Sequence, residues 1–513
     1  MKLHQLLGLR PLLLCSLGGC ATVDPRPDWN RTSERLNQAI GTEDLYRPSE
    51  DAAIAEQVSS LVADGLTVGE AVKVALINNP RLQSAIYRLG ISRADFVQSG
   101  LFTNPSLSFS LRWPDGGGLT NLQAGVAQNV AELWQIKHRK EAAERDLDRT
   151  VLEVAREASM LALDVRVAYW RTIRADREKD LARDNLALGQ KLIDVTLSRR
   201  EAGAGSDVDV NLSRSQHIDY ELRMRSAALA AVEAHATFAK LLGLTTPPSD
   251  IVLTDVLAEP GDWNLTSEAV IATAMQSRLD VQATKMAVAA AEERVAYEKS
   301  RLLRSLEVGI STERSARNSR GGRDWLAETA YASAQSGQLT LPNFQPREDQ
   351  STDWVTGPEI GVELPIFDQN QAQIARAEYV HQQATKMLET LERELTQDAH
   401  VALERARTAA DNLRFYKESA LPLREEGLVL AQGAYTAGRT TLLAVQEAQR
   451  SLLSARSGYV EALTNHSLAI VEVERVAGRP LNAFLDVSEA NAPGTNSAST
   501  DSVVTPPPAE SKP

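Results

Sequence analysis

Residues 66–82 read LTVGEAVKVALINNPRL, and residues 265–281 read LTSEAVIATAMQSRLDV. Both stretches begin with Leu-Thr, continue with Glu-Ala-Val and keep a helical pattern of apolar residues. After each stretch come a short alternating segment, a loop, a second alternating segment and a very long helical pattern. An internal repeat of this size indicates a duplicated architecture. The sequence therefore predicts a mainly α fold with a small β part, built from a duplicated helix–hairpin–helix–helix unit.

Each long helical pattern ends at an Ala-Gly pair and is followed by a returning helix. The pairs are Ala202-Gly203 and Ala437-Gly438, and the returning helices end at Gly243 and Gly478. Glycine ends helices because it adopts the left-handed conformation without steric cost. The sequence thus predicts two antiparallel helical hairpins in each chain. In the second of them, Pro422 should bend or break the long helix.

The first long helix carries a narrow apolar seam. Between residues 137 and 200 there is no proline, and glycine occurs only at Gly189. Small or apolar residues recur there with the 4–3 spacing of a heptad repeat. The seam consists of Leu147, Val151, Val154, Ala158, Leu161, Val165 and Ala168. This spacing predicts a long helix that packs closely against other helices.

Four short segments alternate between apolar and polar residues, as β-strands with two different faces do. The first hairpin is predicted over about 103–113 and 119–129, and the second over about 305–312 and 354–365. An alternating sheet can belong to a soluble protein, but the helical remainder of the chain leaves no core for it. Four strands cannot close a membrane barrel, which takes about eight. If these strands cross a bilayer, several chains must contribute them, and three chains would supply about twelve.

The N-terminus has the layout of a secretory signal over residues 1–19. Lys2 and Arg10 precede a short apolar run, which is followed by Leu-Gly-Gly and Cys20. The run is too short to cross a bilayer, and no other segment offers about 18 consecutive apolar residues. The sequence therefore predicts no transmembrane helix, and a membrane would then be crossed only by a closed β-barrel.

Composition and motifs exclude several classes of function. The chain carries 55 Lys and Arg against 68 Asp and Glu, a net charge of −13, which disfavours a nucleic-acid partner. There is no Gly-rich phosphate loop, no His-Glu-x-x-His and no Gly-x-Ser-x-Gly motif. The seven His residues are scattered along the chain. We therefore expect no enzyme activity, no cofactor and no metal site.

The chain resembles the TolC-like outer-membrane efflux proteins, the exit ducts of tripartite drug and metal pumps. The resemblance is carried, in order, by Asn79-Pro80-Arg81-Leu82, Asn104-Pro105, Gly357-Pro358, Leu364-Pro365-Ile366-Phe367-Asp368 and Tyr435-Thr436-Ala437-Gly438-Arg439-Thr440-Thr441. It covers residues from about 66 to 481, and the segment 364–377 is most similar to the heavy-metal branch. The resemblance implies a homotrimer with a 12-stranded outer-membrane β-barrel on a long periplasmic α-helical barrel. It also implies two protein partners, a periplasmic adaptor and an inner-membrane pump that supplies the energy.

The resemblance also assigns places to the remaining segments. Cys20, after Leu-Gly-Gly, resembles the acylated cysteine of bacterial lipoproteins, although an ordinary secretory signal with an incidental cysteine is the alternative. The residue after it is Ala21 rather than Asp, which favours the outer membrane and its lipid. The expected location is the cell outer membrane, lipid-anchored, with a large periplasmic portion. The expected units are a signal peptide (1–19), a tether (20–60), a first repeat (61–244), a linker (245–264), a second repeat (265–487) and a disordered tail (488–513). The loop over about 313–354 should lie at the cell surface.

Three groups of site residues follow from the resemblance and the strand pattern. The two hairpin tips should dock the adaptor, through Gly203, Gly205, Gly438, Arg439 and Thr440, unless these residues only form turns. The resemblance implies a periplasmic gate at Glu447. Family members carry a second acidic residue where this chain has Ala444, and Asp207 and Asp209 could supply that missing charge. Alternatively, Glu447 is an ordinary surface residue. The alternation places Glu307, Glu359 and Glu363 on the polar face of the strands, which predicts an acidic ring in the lumen. The ring either selects cations or only makes the lumen polar.

A second class of function competes with the duct. Periplasmic adaptors and structural lipoproteins also combine a lipid anchor with helical coiled coils, and they form no pore. Adaptors usually carry one helical hairpin beside β-rich modules, whereas this sequence predicts two hairpins and four alternating strands. The alternative is therefore a periplasmic adaptor or a structural coiled-coil lipoprotein without a pore.

Overall fold

The computed structural model describes residues 22–113, 120–245, 247, 251–257, 265–318, 322–339 and 350–481. The predicted signal over 1–19, Cys20 and the predicted tail over 488–513 lie outside these residues. So do parts of the linker 245–264, the turn of the first strand hairpin and parts of the loop over 313–354.

The helices of the described residues follow one another in an order that repeats. They are α1 (Arg26–Ile40), α2 (Asp51–Ala63), α3 (Val68–Asn78), α4 (Pro80–Ser99), α5 (Glu132–Glu201), α6 (Asp207–Leu242), α7 (Ser267–Ser277), α8 (Leu279–Ser300), α9 (Gly322–Ser336), α10 (Gln371–Phe415), α11 (Leu421–Thr436) and α12 (Leu442–Ala477). The strands are β1 (Ser106–Arg112), β2 (Asn121–Asn129), β3 (Leu306–Asn318) and β4 (Gln350–Val362). Helices α3 to α6 with β1 and β2 correspond to α7 to α12 with β3 and β4, and α6 and α12 each have 36 residues. The predicted fold class, mainly α with a small duplicated β part, is confirmed. None of the helices that the structure describes has an apolar stretch long enough to cross a membrane.

The duplicated sequence stretches form the same local structure in both repeats. Thr67 caps α3 by accepting from the Glu70 N–H, and Thr266 caps α7 in the same way from Ala269. Each returning helix ends at a glycine with φ of +69°, Gly243 or Gly478. A Cβ at Gly243 would lie 2.7 Å from the Asn78 carbonyl oxygen, so the end of α6 lies against the α3–α4 junction. Only glycine satisfies both the left-handed backbone and this close approach.

Helix α5 is the longest element and lies against most of the others. Its 70 residues span about 105 Å. The residues of the predicted seam are buried, except Leu161, which is half-buried against the same core. The helix packs against α6 and α8, and also against α12 of the second repeat. The Arg475–Asp164 ion pair, at 3.0 Å, and the Arg166–Glu474 ion pair join α12 to α5.

Tyr169 of α5 joins the first repeat to the linker inside the core. Its hydroxyl donates to the Leu66 carbonyl oxygen at 2.9 Å and accepts from the Asp255 N–H at 3.0 Å. Its side chain is fully buried, and burial raises the pKa of Tyr169 to about 12. The linker residue Asp255 also accepts from the Val68 N–H, at the start of α3. The described part of the linker is therefore hydrogen-bonded to the start of the first repeat.

Two segments have local structure that the sequence analysis did not specify. Part of the predicted tether 20–60 is a packed helix, because α1 buries Leu36 and Ala39 and pairs its buried Asp28 with Arg93 at 2.8 Å. The second long helix is interrupted beside Pro422, as predicted, by a π-helical turn at Tyr416–Ala420 rather than a break. Proline has no N–H to donate to the preceding turn, and a wider turn relieves that mismatch.

The four strands form one antiparallel sheet in the order β1-β2-β3-β4. Phe109 pairs with Ala124, Val126 with Ile310, and Ile310 with Pro358. β3 continues to Asn318 and β4 begins at Gln350, so both are longer than predicted, and β4 ends at Val362 before the predicted end. Charged and polar residues from Glu313 onward resembled a loop in sequence, but pairing between the two strands keeps them extended. Within the predicted surface loop 313–354, α9 is an additional helix.

Candidate functional site

The turns of the two helical hairpins, which we call the tips, have the same backbone geometry. Gly203 and Gly438 both have φ of +71°. In each tip the residue after the glycine donates to a carbonyl five positions back, Ala204 to Arg199 and Arg439 to Ala434, both at 2.8 Å. This is the hydrogen-bond pattern with which a left-handed glycine ends a helix. A Cβ at either glycine would meet nothing within 4 Å, so both tips present open backbone.

Arg199 links the first tip to the second. Its Nη1 donates to the Tyr435 carbonyl oxygen at 2.7 Å, and its Nη2 donates to the Ala204 carbonyl oxygen at 3.0 Å. The guanidinium carbon lies 4.5 Å from the centre of the Tyr435 ring, a cation–π distance. Tyr435 is buried, and burial raises the pKa of its hydroxyl. Sequence reasoning missed this contact, because nothing in the pattern relates residues so far apart.

The rest of the first tip is shaped by close packing and a cap. A Cβ at Gly205 would lie 3.0 Å from the Arg200 backbone nitrogen, so a side chain there would press on the end of α5. Ser206 caps α6 and accepts from the Asp209 N–H, while the Asp209 carboxylate accepts from the Ser206 N–H. This reciprocal cap gives Asp209 a structural role at the helix start.

In the part of the chain that the structure describes, the ion pairs and capping hydrogen bonds of the predicted gate residues lie near their own turns. Exposed Glu447 lies 3.6 Å from Arg450, one turn along α12. Exposed Asp207 lies 3.5 Å from Arg200 at the end of α5. Asp209 is half-buried in the cap of α6. A single chain therefore places all three carboxylates at the tips, Asp207 and Asp209 in the first turn of α6 and Glu447 near the start of α12.

The two tips share an exposed apolar residue that sequence reasoning did not single out. Val208 is 65 % exposed and Leu443 is 68 % exposed, and they occupy equivalent positions, five residues after Gly203 and Gly438 respectively. Two residues further on, Val210 and Val445 are buried. Each returning helix thus begins with one apolar residue inside the hairpin and one facing outward.

The sheet has one apolar and one polar face. Leu107, Phe109, Val126, Ile310 and Ile360 lie on one face and are all exposed in the single chain. The opposite face carries, among others, Ser106, Ser108, Ser110, Gln123, Asn129, Glu307 and Glu359. Glu307 pairs with Gly361 and Glu359 pairs with Gly309, so the two acidic residues share this face near the helical end of the sheet. Glu363 follows the last residue of β4 and lies outside the strand.

Comparisons with known proteins agree with this architecture. The model of the family described as outer membrane efflux protein matches residues 270–479, from α7 to just past α12. Nodulation protein T of Rhizobium leguminosarum bv. viciae is 25 % identical over 483 residues, which cover 88 % of each chain. The cobalt-zinc-cadmium resistance protein CzcC of Cupriavidus metallidurans is 21 % identical over 418 residues, covering 81 % of this chain and 91 % of that protein.

The fold has also been seen in solved structures. The crystal structure of CusC superposes with a TM-score of 0.63 at 17 % identity, over 80 % of this chain and 92 % of that one. That structure concerns conformational changes that accompany folding and transmembrane channel formation. The second repeat, over residues 270–479, matches the outer membrane efflux protein family.

Proposed function

We propose that the protein is the outer-membrane exit duct of a tripartite efflux system, and that three copies form one passive channel. One observation carries the proposal: the four-stranded sheet leaves a continuous apolar face and both of its edge strands uncovered in the single chain. Soluble proteins avoid large exposed apolar patches and unpaired strand edges. When the sheet closes with other copies inside a lipid bilayer, the lipid covers the apolar face and the neighbouring copies pair with the edge strands.

The topology suits closure by three copies. β1 and β4 are the two edge strands, and because every neighbour is antiparallel they run in opposite directions. β4 of one copy can therefore pair antiparallel with β1 of the next. Two copies would give only about the minimum number of strands for a membrane barrel, whereas three would supply about twelve and leave a lumen. The polar face, with Glu307 and Glu359, would line that lumen.

The opposite end of the long helices would meet the other components. In this proposal the tips dock the helical hairpin of a periplasmic adaptor, through Gly203, Gly205, Gly438, Arg439 and Thr440. Exposed Val208 and Leu443 support this, because helical partners are recognised through apolar residues on an exposed face. A passive duct has no catalytic residue or cofactor with which to drive export. An inner-membrane pump would therefore supply the energy.

The same proposal assigns the gate and the anchor. Glu447, with Asp207 or Asp209, would form the periplasmic constriction when three copies converge on one axis. Cys20 would be acylated and hold the N-terminus in the outer membrane. The supporting observations are the positions of the three carboxylates at the tips and the Leu-Gly-Gly-Cys sequence.

The test is channel formation by the purified protein. We expect a trimer that survives mild SDS and dissociates on heating, and discrete conductance steps after reconstitution into planar bilayers. As a matched control, Ile310→Asp and Ile360→Asp together should abolish insertion, because both side chains would face lipid. A monomer that never conducts would instead support the adaptor or structural lipoprotein.

A further inference from the structure

The structure brings together three potential metal ligands that are separated in sequence. His138 and Glu141 lie one turn apart on α5, and Glu293 lies on α8. One ligand atom from each residue lies within 4.8 Å of the others. His138 Nδ1 is 3.2 Å from Glu293 Oε2 and 3.9 Å from Glu141 Oε2. Within the described residues this is the only such group of histidine and carboxylate side chains.

The spacing of these atoms is close to that of a coordination shell. Zinc binds histidine nitrogen and carboxylate oxygen at about 2.0–2.2 Å, so two ligands of a tetrahedral ion lie about 3.3 Å apart. The His138–Glu293 separation of 3.2 Å is close to this value, and the His138–Glu141 separation of 3.9 Å is larger. The i,i+3 spacing of His138 and Glu141 holds their side chains on one face of α5.

The charges around the group also favour a cation. In the part of the chain that the structure describes, neither Glu141 nor Glu293 has an ion pair with Lys or Arg. Three cations close in sequence bind other groups: Arg139 donates to the Ser99 and Leu101 carbonyl oxygens, Lys140 lies over the Phe96 ring, and Arg294 pairs with Glu298. With a neutral imidazole the group carries two negative charges without a direct Lys or Arg partner, which a divalent ion would balance.

The three side chains are partly enclosed but reachable from solvent. Their exposed fractions are 33 % for His138, 40 % for Glu141 and 32 % for Glu293. Partial burial strengthens the attraction between the carboxylates and a cation relative to a fully exposed site. The remaining exposure leaves room for a water molecule as a further ligand.

We propose that His138, Glu141 and Glu293 bind a divalent transition-metal ion of the Zn²⁺ class. The imidazole nitrogen selects this class over Mg²⁺ and Ca²⁺, which prefer oxygen ligands only. The ion displaces the hydrogen bond between His138 and Glu293 and requires His138 Nδ1 to be unprotonated. It ties α5, which follows β2, to α8, which leads into β3. A trimer would hold one such ion in each chain.

The first test measures Zn²⁺ binding to the intact trimer in detergent, with any affinity tag removed. Equilibrium dialysis should give one Zn²⁺ per chain, and excess Mg²⁺ should not displace it. His138→Gln and Glu293→Gln should each weaken binding by about tenfold or more, since even changes to the partners of metal ligands cost this much. The matched controls are His381→Gln on α10 and Glu292→Gln, which is exposed beside Glu293. Both controls should bind like the wild type.

The second test identifies the ligands with Cu²⁺ as a spectroscopic probe. The electron paramagnetic resonance spectrum should show coupling to one nitrogen, and His138→Gln should abolish it. Trp134, one turn before His138, should be quenched by bound Cu²⁺, and Trp134→Phe should remove that part of the quenching. Equal Zn²⁺ binding by the wild type, His138→Gln and Glu293→Gln would overturn the proposal, and so would absence of Zn²⁺ binding by a folded wild-type trimer.

Discussion

The guanidinium group of Arg199 lies over the ring of Tyr435 at 4.5 Å and donates to its carbonyl oxygen at 2.7 Å. The two residues stand at the ends of the outgoing helices of the two hairpins, so one side chain holds both tips of a chain together. A second hydrogen bond of the same group runs to the Thr436 carbonyl oxygen at 3.2 Å, and a third, to the Ala204 carbonyl oxygen, fixes the side chain to its own turn. Any movement of one tip away from the other must break these contacts.

The first prediction is that Arg199→Lys loosens the tips and raises the open probability of the reconstituted channel. Lysine keeps the charge but lacks the planar fork that reaches three acceptors at once and stacks on the ring. Each lost hydrogen bond to the charged group is worth about 1.5–3 kcal/mol. Single-channel recording measures the effect. Arg200→Lys, whose neighbour Asp207 is exposed, is the control and should behave like the wild type; equal open probability in both variants would contradict a role for Arg199.

The second prediction separates backbone strain from side-chain bulk at the second tip. Gly438→Ala and Gly438→Trp both place a side chain at φ of +71°, at a cost of about 1–2 kcal/mol. Alanine meets no atom within 4 Å and should preserve export, whereas tryptophan should block adaptor docking while leaving SDS-resistant trimers intact. Export of a fluorescent efflux substrate from whole cells measures the difference. Normal export by a well-expressed Gly438→Trp strain would count against docking at this tip.

The third prediction concerns the proposed gate at Glu447. Three carboxylates near a threefold axis attract multivalent cations, so trivalent ions added on the periplasmic side should block the current. Glu447→Gln should weaken this block, and Glu461→Gln, further along α12, should not. If Glu447→Gln is blocked as strongly as the wild type, the constriction must lie at other residues, with Asp207 and Asp209 next to be replaced.

The fourth prediction concerns the lumen. Glu307 and Glu359 share the polar face of the sheet, whereas Glu363 follows the end of β4. Replacing the first two by Gln should therefore remove most of any cation preference, and Glu363→Gln alone should remove little. Reversal potentials across a salt gradient report the preference. Identical potentials in the wild type and the double variant would mean that these residues only hydrate the lumen.

The fifth prediction is a pH dependence that originates in α5. Burial opposes ionisation of Asp176, but hydrogen bonds from His235 at 2.8 Å and Lys179 at 3.0 Å outweigh it and lower the pKa below its ordinary 3.8. Because the folded state has the lower pKa, ionised Asp176 stabilises the protein above the ordinary value, and this stabilisation is lost as the pH falls through the folded pKa.

Asp176→Asn should therefore lower the melting temperature at pH 6, and the difference from the wild type should shrink as the pH approaches 3. Thermal unfolding of the detergent-solubilised protein over this range measures it. Exposed Asp180→Asn, one turn further along α5, is the control and should change the melting temperature little at any pH. A constant difference between Asp176→Asn and the wild type at every pH would contradict this origin.

Much of the architecture was predictable because it depends on local periodicity. The 4–3 spacing from Leu147 to Ala168 determines which side of α5 is buried, and the alternation around Phe109 and Ile360 determines the faces of the sheet. The duplicated caps and the glycines at the helix ends determine where α3, α7, α6 and α12 begin or end. Each of these features is set by the conformational preferences of residues a few positions apart. The sequence by itself was enough for the repeat, the hairpins and the four strands.

Only the tertiary structure decided which distant side chains meet. Arg199 and Tyr435 are 236 positions apart, and His138 and Glu293 are 155 apart. The full lengths of β3 and β4, and the packing of α1 on α5, likewise depend on partners elsewhere in the chain. No local period encodes such contacts, because they arise from how the long helices lie side by side. The Arg199–Tyr435 contact and the candidate metal site could therefore not be found from residue spacing, because the residues that form them lie far apart in the sequence.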